Sequence, residues 1–127
     1  MARIIDSRCV LAVQDLAAST HYYVDVLGFK LDFEVPGWSF LSRDNFGLML
    51  GECPDAPPAA ELGDHSYFAY LRVESVDGFY REVSSRGAEV RTAPEDKPWG
   101  MREFAIRTPD GHRLTVGEEI RGERGGL

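Results

Sequence analysis

Only two cysteines, Cys9 and Cys53, occur in the 127 residues, and they form neither a CxxC pair nor a Cys/His metal spacing. A disulfide framework and a zinc module are thereby excluded, and reduced thiols in a cytoplasm are expected. Histidine is nearly as scarce: His21, His65 and His112 fall on a helix face, in a linker and in a turn, and with no HxxxH-type spacing each reads as solvent-exposed. Basic residues are outnumbered, 14 Lys and Arg against 21 Asp and Glu. The formal charge of −7 repels nucleic acid and anionic membrane, favours cationic partners, and aids solubility. No Gly-rich phosphate loop occurs, since Gly111 and Gly117 belong to a turn and a strand. The opening Met1-Ala2-Arg3-Ile4-Ile5-Asp6 is broken by charge, so neither a secretory signal nor a membrane span is read there.

What the chain does have is a repeat. Val13-Gln14-Asp15-Leu16 leads into an amphipathic run ending at Leu27-Gly28-Phe29, and Val73-Glu74-Ser75-Val76 leads into another ending at Arg86-Gly87-Ala88. Gly47-Leu48-Met49-Leu50-Gly51-Glu52 is matched by Arg113-Leu114-Thr115-Val116-Gly117-Glu118. Two copies of a unit too small to bury its own apolar face should pack together around a shared concave surface. The length and a hydrophobic content of 43% suit one domain over residues 1–127.

Ser7 to Val13 alternates as a strand; Asp15 serves as an N-cap; Leu16, Thr20, Tyr23 and Leu27 share a helical face that Gly28 ends. Strands follow at Lys30 to Val35, Trp38 to Ser42 and Phe46 to Gly51, making a βαβββ module over residues 7–53. Residues 54–65, with Pro57-Pro58, form a linker, and a second βαβββ module spans 66–119. The charged, Gly-rich stretch 120–127 should fray. The fold class is α+β: two βαβββ modules forming a curved, barrel-like mixed sheet with helices on the outer face.

A sheet covered by helices on one face turns its most aliphatic parity towards them. That assigns Cys9, Leu11, Val13, Leu48, Leu50, Ala69, Leu71, Val73, Leu114 and Val116 to the core. Arg8, Val10, Met49, Gly51, Phe68, Tyr70, Arg72, Arg113, Thr115 and Gly117 then look inward, joined by Trp38 and Phe40. This wall is aromatic and basic.

The repeat, together with Pro98-Trp99-Gly100-Met101-Arg102-Glu103-Phe104 and Thr108-Pro109-Asp110-Gly111, resembles the glyoxalase/bleomycin resistance/dioxygenase superfamily, also called vicinal oxygen chelate proteins. The likeness covers about Ser7 to Glu119. Val13-Gln14-Asp15-Leu16-Ala17-Ala18-Ser19, the Leu27-Gly28-Phe29 helix end and the tryptophan motif look most like the bleomycin resistance branch, with Thr108 where that branch usually has Asp. The resemblance implies a homodimer with ligand crevices between subunits. It also implies that metal enzymes of the superfamily carry one His or Glu on each of four strands. By register those positions are Arg8, Met49, Phe68 and Thr115, none of which offers the imidazole or carboxylate donors a catalytic divalent metal needs.

The candidate ligand-binding residues are therefore Trp38, Phe40, Met49, Phe68, Tyr70, Trp99, Arg102 and Glu103, with no metal and no cofactor. The aromatic rings make either a stacking box for a planar guest or ordinary core and dimer packing. Arg102 and Glu103 either engage ligand or belong to a surface strand of alternating charge. Glu103 and Glu52 are the acidic groups suited to a cationic guest. Arg8, Arg72 and Arg113 either pair with those acids or indicate a guest bearing carboxylate or phosphate. The expected function is metal-free sequestration of a bulky, aromatic, cationic antibiotic such as bleomycin. The alternative is a lyase, isomerase or dioxygenase of the same superfamily.

Overall fold

The sequence repeat is built twice in the computed structural model, which describes residues 2–120, the side chains of Asp64 and His65 excepted. Of the fraying expected at 120–127, residues 121–127 lie outside the described residues. The first module runs β1 (Arg8–Val13), α1 (Leu16–Asp25), β2 (Lys30–Val35), β3 (Trp38–Arg43) and β4 (Phe46–Glu52). The second runs β5 (Tyr67–Arg72), α2 (Val76–Ser85), β6 (Glu89–Asp96), β7 (Met101–Arg107) and β8 (Arg113–Glu119). The fold is α+β, as the patterning implies. Each module is one four-stranded mixed sheet, in the orders β1-β4-β3-β2 and β5-β8-β7-β6, with a parallel first pair and antiparallel pairs after it.

The chain divides into two compact units between Pro58 and Ala59, within the stretch read as linker. The rest of that stretch is not extended. Ala59–Ser66 winds into a 3-10 segment kinked at Gly63 (φ 60°, ψ −132°), and Ala59 is buried. Gly111 (φ +89°) lies so close beneath it that a Cβ there would overlap the Ala60 backbone. A positive φ and a missing side chain are both needed at that turn.

Each helix packs on one face of its own sheet. The first core gathers Leu11, Val13, Leu41, Leu48 and Leu50 with Tyr23, Leu27 and Phe29; the second gathers Phe104, Ile106, Leu114 and Val116 with Val76 and Val83. Cys9, Ala69, Leu71 and Val73, expected in the core, are only half-buried. They lie on or at the end of the edge strands β1 and β5, which have a neighbour on one side alone.

Helix starts repeat one device. The Asp15 carboxylate accepts from Ala18 N at 3.0 Å, while Leu16 N donates to Glu52 Oε2 at 3.2 Å. In the second unit the Ser75 hydroxyl accepts from Gly78 N at 3.2 Å, and Val76 N donates to Glu118 Oε1 at 3.0 Å. The last strand of each module thus sends a carboxylate to the positive end of that module's helix, satisfying an N–H that the helix leaves open. Among the described residues no helix is long and apolar enough to cross a membrane.

Candidate functional site

Parity puts the site residues on the open face of each sheet, opposite the helix. In the first unit Ser39 and Leu41 are buried against α1, so Trp38 and Phe40 project to the other side. Trp38 stands opposite Gly51 and Phe40 opposite Met49. The Trp38 ring lies directly over Gly51, where a Cβ would come within 2.8 Å of Cη2. Glycine here makes the strand surface flat enough for an indole to lie on it. Phe33 stacks on Phe40, with centroids 4.3 Å apart and planes 11° apart. Phe33 remains 53% exposed and Val10 59%. Phe33 was not singled out in the sequence, because a bulge between Leu31 and Phe33 breaks the alternation that would have assigned its face.

The open face of the second unit is built around Glu103. Its strand position lies opposite Gly117 of β8, and Tyr70 crosses Gly117 so closely that a Cβ there would overlap the phenol. Tyr70 Oη donates to Glu103 Oε2 at 2.8 Å, and Trp99 Nε1 donates to the same oxygen at 2.9 Å. Partial burial, then the hydrogen bond to Glu103 and its charge, push the Tyr70 pKa well above that of a free phenol. Tyr70 therefore stays a proton donor throughout the physiological range. Glu103 Oε1 has no hydrogen-bond partner among the described residues, which leaves a fixed acceptor oxygen beside two aromatic rings. Trp99 itself is 58% exposed. Such a carboxylate suits a cationic or hydrogen-bond-donating guest.

Arg102, one residue away, faces the opposite way. Its Nε donates to Asp77 of α2 and its Nη1 to Asp96 of β6, both at 3.0 Å, so it ties the sheet to its helix on the side remote from Glu103. Those hydrogen bonds raise its pKa. Phe68 falls in a bulge between Tyr67 and Ala69, so Tyr67 takes the register place opposite Arg113. The Phe68 ring meets His112 edge-on at 5.8 Å.

His112 corrects the expectation of an exposed turn histidine: it is 8% exposed, and its buried Nδ1 has no hydrogen-bond partner among the described residues. Burial depresses its pKa, partly countered by Asp110. His21 is exposed and pairs with Asp25 at 2.7 Å. Glu52, taken as an acid for a guest, is occupied in capping α1. The inward arginines also find other partners than Glu103 or Glu52. Arg8 approaches Asp32 at 4.0 Å, Arg72 approaches Glu119 at 3.9 Å, and Arg113 Nε donates to the Ser66 hydroxyl at 2.9 Å.

The positions at which the superfamily's enzymes hold metal do not fit one here. In the first unit Met49 has Val10 as its β1 neighbour, Arg8 being opposite Gly47; in the second, Thr115 has Tyr70 beside it. Neither this set nor Arg8, Met49, Phe68 and Thr115 contains an imidazole or a carboxylate. Among the described residues no group of three or more His, Cys, Asp and Glu is placed to hold a metal ion.

A family model described as the Glyoxalase/Bleomycin resistance protein/Dioxygenase superfamily matches residues 7–116. The chain is 25% identical over 131 residues to the bleomycin resistance protein of Geobacillus stearothermophilus, covering 93% of this chain and 99% of that one. Among solved structures, the bleomycin resistance determinant encoded on the transposon Tn5 superposes with a TM-score of 0.76 at 26% identity, covering 93% of this chain and 100% of the other. The bleomycin-binding protein of Streptomyces verticillus, complexed with copper(II)-bleomycin, gives 0.70 at 25% identity, covering 97% and 100%.

Proposed function

The chain belongs to the glyoxalase/bleomycin resistance protein/dioxygenase superfamily, and from that premise we propose that it captures a bulky, planar, cationic antibiotic of the bleomycin kind without making or breaking a bond. The observation that carries this reading is the Glu103 carboxylate, held on one oxygen by Tyr70 and Trp99 and open on the other. The second support is the exposed aromatic face of Phe33, Trp38 and Phe40. Covering one large ring removes ~200 Å² from water, so at ~25 cal/mol/Å² each ring contributes about 5 kcal/mol gross. Two rings and one charge-assisted hydrogen bond suffice for micromolar affinity after association costs. In this reading Trp38, Phe40 and Met49, joined by Phe33, are the guest-contacting residues on the open face of the first unit, Tyr70, Trp99 and Glu103 are those on the open face of the second, and Phe68 and Arg102 hold the frame of the second. The protein acts in the cytoplasm as a homodimer that covers the apolar open faces. Sedimentation equilibrium at the single-chain mass of 14.2 kDa would remove the dimer from this account. Among the described residues no group of His, Cys, Asp and Glu offers a donor set for the metal-dependent alternative.

Trp38 and Trp99 are the only tryptophans of the chain and lie one in each unit, so its indole fluorescence reads the two open faces. Titration with metal-free bleomycin should quench it saturably, and Glu103→Gln should weaken binding by about tenfold or more, the value of a hydrogen bond to a charged group. The single variants Trp38→Phe and Trp99→Phe assign the quenching to one face or both. Unchanged fluorescence up to roughly 100 μM drug, a concentration far above the affinity expected, overturns the proposal.

A further inference from the structure

The second unit carries a cavity of about 240 Å³ lined by Arg91 of β6, Arg107 of β7 and Arg113 of β8, with Ser66, Gly63 and Gly111 completing the wall. We propose that it binds a phosphate group, either as the free ion or as the phosphomonoester of a small molecule. The proposal does not depend on drug capture.

The arrangement gathers like charges around one cavity. Arg107 and Arg113 are direct register partners on adjacent antiparallel strands, and like charges placed opposite one another destabilise a sheet. Arg91 comes from a bulge on the next strand and adds a third guanidinium. Carboxylates are abundant in this chain, and Arg8, Arg72, Arg86 and Arg102 each have one. Arg91 and Arg107 have none among the described residues, although Glu89 lies opposite Arg107 in register.

The wall is also organised. Ser66 is buried, donates to Gly63 O at 2.9 Å and accepts from Arg113 Nε at 2.9 Å; Arg113 Nη2 donates to Gly63 O at 3.5 Å. One of the three guanidiniums is thus fixed in direction before any ligand arrives, which lowers the ordering cost of binding. Three guanidiniums offer planar forks of donors matched to phosphoryl oxygens, and their summed charge favours a dianion over a carboxylate. The cavity holds several times the ~30 Å³ share of a water molecule, leaving room for a small organic portion. Arg107 lies four residues along β7 from Glu103, or about 13 Å at ~3.3 Å per residue, so the two sites are separate.

Calorimetric titration at constant ionic strength tests this with inorganic phosphate, phenyl phosphate and acetate. Both phosphates should bind at millimolar concentration or below, with acetate at least about tenfold weaker. Tighter phenyl phosphate binding assigns the site to phosphomonoesters, and equal binding assigns it to the free ion. Arg91→Gln and Arg107→Gln should each weaken phosphate about tenfold. Each should keep or raise the melting temperature in anion-free buffer, because one of three repelling charges has gone, and leave the bleomycin titration unchanged. No phosphate binding at roughly 10 mM, or unaltered binding in both folded variants, overturns the proposal.

Discussion

His112 shows how a residue's surroundings decide its chemistry. In sequence it sits beside Pro109-Asp110-Gly111, the composition of an exposed turn. In the structure its backbone N donates to Thr108 Oγ1, and its ring is carried inward against Phe68. The neutral imidazole is favoured there, so the folded pKa lies below the ordinary 6.5. Below that value the unfolded chain binds a proton that the folded one refuses. Stability from this group is thus complete above pH 6.5 and is lost as pH falls towards the folded pKa. His112→Phe keeps an aromatic ring but not the titration. Urea midpoints measured from pH 7.5 down to about 5 should fall less steeply in the variant than in the parent; parallel curves would refute the assignment. Trp38 and Phe40 were legible as open-face residues because strict alternation holds on β3, whereas Glu103 was legible only as an acid suited to a cationic guest. Phe33 and Phe68 were not, because one extra residue in a strand reassigns faces and leaves no mark in composition. Arg102 was grouped with Glu103 by adjacency in a motif, whereas strand geometry sends neighbours to opposite sides.

At the scale of elements, the strand and helix succession could be read almost throughout, since each start carries Asp15 or Ser75 and each unit repeats its apolar spacing. The second cap of each helix could not, because Glu52 and Glu118 lie 36 and 42 residues from the N–H groups they satisfy. A glutamate at a strand end reads as solvent charge until the sheet is assembled. Glu118→Ala strands the Val76 N–H at the start of α2, where Val76 itself is fully buried. The loss should be about 1–2 kcal/mol, in the range of a removed N-cap. Glu119→Ala is the control: its partner Arg72 is a long, exposed pair, and its loss should be within about 0.5 kcal/mol of zero. Equal destabilisation of the two variants in chemical denaturation would show that Glu118 does no capping.

At the scale of the whole molecule, the net charge of −7 and the single carboxylate at Glu103 make separable contributions to binding a cation. Distributed charge draws a cation towards the protein and acts on the association rate, while a contact made only after docking acts on the dissociation rate. Salt distinguishes them, because the Debye length shrinks from ~30 Å at 0.01 M to ~3 Å at 1 M and screens the distant charges first. Stopped-flow mixing with bleomycin should therefore give an association rate that falls severalfold across that range with a nearly constant dissociation rate. Glu103→Gln should reverse the emphasis: faster dissociation, with the salt dependence of association largely retained because six of seven net negative charges remain. Association indifferent to salt would mean that the acidic surplus serves solubility alone, and that recognition rests wholly on the aromatic faces and the oxygen that Tyr70 and Trp99 leave exposed.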